Sequence, residues 1–125
     1  MCAKAGLLVI VLTLTACSDQ NAARHSALTS TRSLAAETEL FLEFVLGGHS
    51  NEQYAEAHTE YLEKAIADLL EDVRRENLPS CEAALSALAQ ELPAVRNSVA
   101  AGDLAALTRS RDAVRKLRQN LRAAG

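Results

Sequence analysis

The chain has 125 residues and a mass of 13.4 kDa, enough for one domain with a single modest core. Ala and Leu dominate, against two Phe, two Tyr and no Trp, a balance that excludes most β architectures and disorder. A net charge of −3 and only three Cys exclude a broadly basic nucleic-acid binder and a disulfide-stapled mini-protein.

The N-terminus reads Met1-Cys2-Ala3-Lys4 and then AGLLVIVLTLTA, an uncharged run of twelve residues. As a helix, at ~1.5 Å per residue, such a run spans about 18 Å, short of the ~30 Å hydrocarbon core of a bilayer. A charged start, a short apolar stretch and small residues at its end describe a secretory signal. The run closes on Leu14-Thr15-Ala16-Cys17, which resembles the lipobox of bacterial lipoproteins. That resemblance covers residues 1–17 only. It implies cleavage between Ala16 and Cys17, a diacylglycerol on the Cys17 thiol, and a further acyl chain, such as palmitate, on the new amino group. Two or three acyl chains anchor stably where one holds only marginally. In enteric-type diderms an Asp after the cysteine is the inner-membrane retention signal; Ser18 stands there instead. The resemblance thus implies a lipid-anchored protein of the cell envelope, on the outer membrane facing the periplasm where the organism has one. The chain divides into a signal peptide (1–16), a lipidated cysteine with a polar tether (17–26) and a helical domain (27–125).

The domain's apolar residues recur at helical spacings. The first segment, about 27–46, carries Leu34, Thr38, Phe41 and Val45 on one stripe, widened by Leu28, Leu42 and Leu46, with Glu37, Glu39 and Glu43 expected on other faces. Gly47 and Gly48 end it. The second opens on Ser50-Asn51-Glu52-Gln53, read as a capping box with Ser50 as the cap. Ala55, His58, Leu62, Ile66, Leu69 and Val73 form its stripe, Glu60 and Lys64 suit an i,i+4 pair, and the segment stops near Asn77, before Leu78-Pro79. The third keeps Cys81, Leu85, Leu88, Leu92, Val95 and Val99 in a four–three alternation that does not shift phase at Pro93, so a kinked but unbroken helix is expected. Asp103 caps the fourth, whose stripe is Leu104, Leu107, Val114, Leu117 and Leu121, with Ser110 or Arg111 in the middle.

Short links make consecutive helices antiparallel, so the expected fold is an all-α, up-down-up-down four-helix bundle; two hairpins that dimerise are the alternative. Residues 37–91 hold thirteen acids and three bases, while residues 92–125 hold seven bases and two acids. A basic fourth helix is therefore expected beside the acidic first.

Candidate chemistry is sparse. His49 and His58, with an acid such as Glu52, are a possible Zn or Cu site, but the Glu-x-x-His pattern of bundle metal sites is absent. Arg111, Arg115, Arg118 and Arg122 form a basic stripe that could face an anion or partner, or pair with acids on a neighbouring helix. Cys81, the one thiol left in the mature chain, sits on a core stripe as a packing residue, with an intermolecular disulfide as the alternative. There is no Gly-rich phosphate loop, no Gly-x-Ser-x-Gly and no His-Glu-x-x-His. The sequence therefore reads as a non-catalytic interaction or structural module without a cofactor. It would contact the membrane through its anchor, an envelope protein or a second copy of itself, and not nucleic acid. A small-ligand or metal-ion binding bundle is the alternative. Replacement Cys17→Ser is expected to leave an uncut or soluble product. Detergent partitioning of a shortened, acylated Cys17→Ser chain would contradict the lipobox reading.

Overall fold

The computed structural model describes the backbone of residues 2–123 and the side chains of residues 21–123. The chain forms four helices: α1 (Cys2–Leu46), α2 (Glu52–Arg75), α3 (Pro79–Ala101) and α4 (Leu104–Ala123). No strand occurs among the described residues. The helices form a four-helix bundle. Its most extensive interfaces are α2 on α3 and α1 on α4; α3 on α4 joins the two pairs, and the α1–α2 seam is thinner. Among the described residues no helix is long and apolar enough to cross a membrane.

Three helix ends are closed in the same way. The residue just past the last turn takes a left-handed conformation, and two amides reach back to carbonyls otherwise left without partners. At α1 this residue is Gly48 (φ 76°); its N–H donates to Val45 O, and His49 N–H donates to Phe44 O. At α3 it is Gly102 (φ 65°), with Asp103 N–H donating to Ser98 O. At α2 the place falls to Asn77 (φ 59°), and Leu78 N–H donates to Val73 O while the Leu78 side chain is buried. Asparagine tolerates this geometry because its short amide satisfies itself locally. Pro79 then opens α3 at a position where a missing N–H costs nothing.

Two helix starts are capped by side-chain oxygens. Asp103 caps α4 as expected, its Oδ1 accepting from Ala106 N–H at 3.0 Å. The cap of α2 is Asn51 and not Ser50: Asn51 Oδ1 accepts from Tyr54 N–H at 2.7 Å, and Ser50 Oγ donates to Asn51 O. Both residue types cap well, so a shift of one residue costs little locally.

Residues 21–26, the end of the polar tether, are helical and continuous with α1. No Pro or Gly stands between Gly6 and Gly47 to interrupt α1. Asn21, Ala22, Arg24, His25 and Ser26 are all exposed, and Ala27 and Leu28 are the first described side chains packed on the core. The signal-peptide and lipidation readings, including Ala16 and Cys17, lie outside the described side chains.

The core follows the sequence stripes. Leu42, Leu62, Ile66, Leu85, Leu88, Leu92 and Leu107 are fully buried. In α3 the stripe passes Pro93 without a break, and the proline is exposed on the outer side. Ser110, and not Arg111, fills the middle of the α4 stripe, while Leu104 is exposed in the first turn. The hydroxyls of Thr31, Thr38, Thr59 and Ser98 are buried, each donating to the carbonyl four residues earlier. That bond removes the cost of burying an unpaired hydroxyl. Leu88 lies at the centre of α3's buried stripe. Urea unfolding of Leu88→Ala is expected to show a loss of ~2–5 kcal/mol, the range for a buried leucine.

Candidate functional site

Two clusters outside the aliphatic core combine charge or aromaticity with a defined geometry. The first joins α1 to α4. Glu39 was expected on an outer face, yet it is only 4% exposed. Arg115 Nε donates to Glu39 Oε1 at 2.8 Å, and the other end of the same guanidinium donates to Glu43 Oε1 at 2.7 Å. Arg118 Nε stands 2.7 Å from Glu39 Oε2, but its N–H is not aligned on that oxygen, so this contact is Coulombic rather than a formed hydrogen bond. Bonds to Glu39, then Glu43, hold the Arg115 guanidinium above its already high range, so it stays charged. Further along the seam, Arg32 Nε and Nη2 both donate to Leu121 O, closing a carbonyl in the last turn of α4.

These contacts revise the basic stripe. Arg115 and Arg118 face α1, and Arg111 pairs with its neighbour Asp112. Only Arg122 of the four has no ion-pair partner among the described residues. Most of the stripe is thus paired with acids, Arg115 and Arg118 with α1 along the half-exposed α1–α4 seam. Glu60 and Lys64 form no ion pair among the described residues; Glu63 of α2 pairs with Arg96 of α3, and Asp72 with Arg75, each at 3.0 Å.

The second cluster is aromatic. Tyr54, His58 and Tyr61 follow spacings of four and three, which places them on one face of α2. The turn after α1 brings this face against the end of α1. The His58 ring lies 4.7 Å from the Phe41 ring, stacks on Tyr54 at 5.6 Å with an interplanar angle of 12°, and lies 5.4 Å from Tyr61. Phe44 meets Tyr54 edge-on at 5.7 Å and His49 at 5.5 Å. Glu37 Oε1 stands 3.7 Å from His58 Nε2. Gly47 allows the tight turn that seats His49: a Cβ there would come within 2.8 Å of the His49 ring. Every Phe and Tyr of the chain belongs to this one cluster. Only Phe41 is buried; Phe44 is 41% exposed, Tyr54 48% and Tyr61 53%.

His49 and His58 therefore occupy the same cluster but do not form the metal site considered from sequence. Their contacts are aromatic rings, and among the described residues no three His, Cys, Asp or Glu side chains converge to hold a metal. Cys81 is buried and unbridged, consistent with its place on the stripe, and borders a cleft of about 410 Å³ with Leu28, Leu78 and Pro79. A second cleft of about 400 Å³ runs between α1 and α2, with Ala27 and Ser30 facing Leu69 and Val73. Neither cleft is lined by the aromatic cluster.

The sequence places Tyr54 and Tyr61 on one helix flank with His58, but not their meeting with Phe41, Phe44 and His49, which depends on contact between α1, the turn after it and α2. The spacing of Tyr54, His58 and Tyr61 was the available signal. Comparison with known proteins finds no family model, no curated protein and no solved structure that matches this chain.

The two acids that share Arg115 should differ sharply in weight. Glu39→Gln is expected to cost about 1.5–3 kcal/mol, the value of buried hydrogen bonds between charged groups. Glu43→Gln is expected to cost under about 1 kcal/mol, since that carboxylate is screened by solvent. Thermal or urea unfolding of the two variants in parallel measures the difference.

Proposed function

We propose that this chain is a lipid-anchored lipoprotein of the bacterial envelope whose helical domain works by contact and not by catalysis. The anchoring part rests on Leu14-Thr15-Ala16-Cys17 at the end of a short apolar run. The contact part rests on one observation: all four Phe and Tyr side chains lie in one cluster, and three of them are 41–53% exposed. A chain this poor in aromatics would gain most by burying them. Leaving three half in solvent is the pattern of a surface awaiting a partner.

The geometry suits that division of labour. From Asn21 to Phe44 the helix α1 covers about 35 Å at ~1.5 Å per residue. The aromatic face thus stands at the end of the domain opposite the one nearest Cys17. The anchor supplies location, and the bundle projects the face away from the lipid.

A photo-reactive phenylalanine analogue in place of Tyr61 tests the reading in cells. We expect a cross-linked species, to an envelope protein or a second copy, that is absent when the analogue replaces Gln119 on α4. Absence of a cross-link from Tyr61 under conditions where the protein is membrane-bound would overturn the contact reading.

A further inference from the structure

The aromatic face has two halves. Leu40 and Phe44, one turn apart, form the α1 half; Tyr54, Ala57 and Tyr61 form the α2 half. Leu40, 66% exposed, is the most open of the exposed large hydrophobic side chains. Ala57 is exposed between the two tyrosines and leaves a shallow seat there. One charge of each sign borders the face. Glu37, three residues before Leu40 on α1, has no Lys or Arg partner, and Lys64, three residues after Tyr61 on α2, has no acid partner, among the described residues.

We infer that this face joins two copies of the chain in a parallel homodimer, α1 of one protomer lying over α2 of its partner; the step rests on the lipid-anchored contact reading above. The anchor sets the direction. Two copies held through Cys17 in one leaflet stand side by side, with their helices pointing the same way. Closed pairing of one face with itself then needs a twofold axis along the bundle, and that axis sets α1 opposite the partner's α2 at equal height. The heights follow from contacts within one copy. Counting down α1 and up α2 from the Phe44–Tyr54 and Phe41–His58 contacts puts Glu37 level with Tyr61. Glu37 is then about 4.5 Å along the axis from the partner's Lys64, within reach of two long side chains. Leu40 comes level with Ala57 and its flanking tyrosines, so the most open apolar side chain meets the shallow seat. Asp68, the next charge along this flank of α2, comes level with Ser30 and meets no second acid. Rings and Leu40 supply the attraction, and two Glu37–Lys64 pairs fix the register. Anchoring in one plane raises the effective concentration, so a small interface suffices.

The test uses the full chain in its native membrane, with a photo-reactive phenylalanine analogue in place of Leu40. An adduct at dimer mass is expected, mapped by mass spectrometry to residues 54–61. Glu37→Lys and Lys64→Glu are each expected to lower its yield about fivefold, about 1 kcal/mol for two exposed pairs lost. Co-expression of the two single variants is expected to restore the yield, because both pairs re-form, with reversed sign in one or native sign in the other, only between unlike chains. Failure of that recovery, or indifference to both single reversals, would overturn the parallel α1-over-α2 pairing. So would an adduct mapped from α1 to α1. An adduct from Leu40 to a different protein, without a dimer, would overturn the second copy in favour of another partner and leave the contact reading standing. Absence of any adduct from either Leu40 or Tyr61 would remove the contact reading and the dimer together.

Discussion

A carboxylate removed from water in a helix interface must find cations or lose its charge, and Glu39 finds two, Arg115 and Arg118, both on α4. This contact ties the first helix of the bundle to the last. Hydrophobic stripes alone would hold α4 against any apolar groove, because area burial has no direction. The Glu39 pair has a direction and a register: Arg115 must reach back to both Glu39 and Glu43, and Arg32 must reach Leu121. Charge therefore selects which helix α4 lies beside and in what register, while its apolar stripe sets the inward face and supplies the energy of closure.

The same contact shapes the outer surface. By drawing Arg115 and Arg118 onto the α1–α4 seam, it pairs much of the basic charge of α4 with acids of α1. On the other side of α1 the exposed aromatic rings have Glu37 beside them, 3.7 Å from the His58 ring nitrogen. The thinner α1–α2 seam leaves room for that face, since the rings fill the space between the two helices without being covered by a third.

Much of the fold was legible because helix stripes and stop signals are local. Leu85, Leu88 and Leu92 are buried where their spacing placed them, and Gly48 and Gly102 close helices where glycine was expected to. The errors share a cause. Ser50 and Asn51 are near-equal caps, so local chemistry could not choose between them. Glu39 was placed outside because acids are rarely buried, a rule that fails when partners arrive from residues more than seventy positions away. The basic stripe was drawn on one helix, whereas its meaning depends on which helix stands opposite.

The amino-acid sequence by itself determined the helical class, the number of helices in the domain, their apolar faces and the charge complement between the first and last. Periodicity, helix ends and composition act within a few residues of one another, so they can be read along the chain. The burial of Glu39, its pairing with Arg115 and Arg118, and the gathering of Phe41, Phe44 and His49 with Tyr54, His58 and Tyr61 were decided only by the tertiary structure. Each depends on a contact between helices, and the strength of a charge or ring contact is set by the surroundings that packing creates.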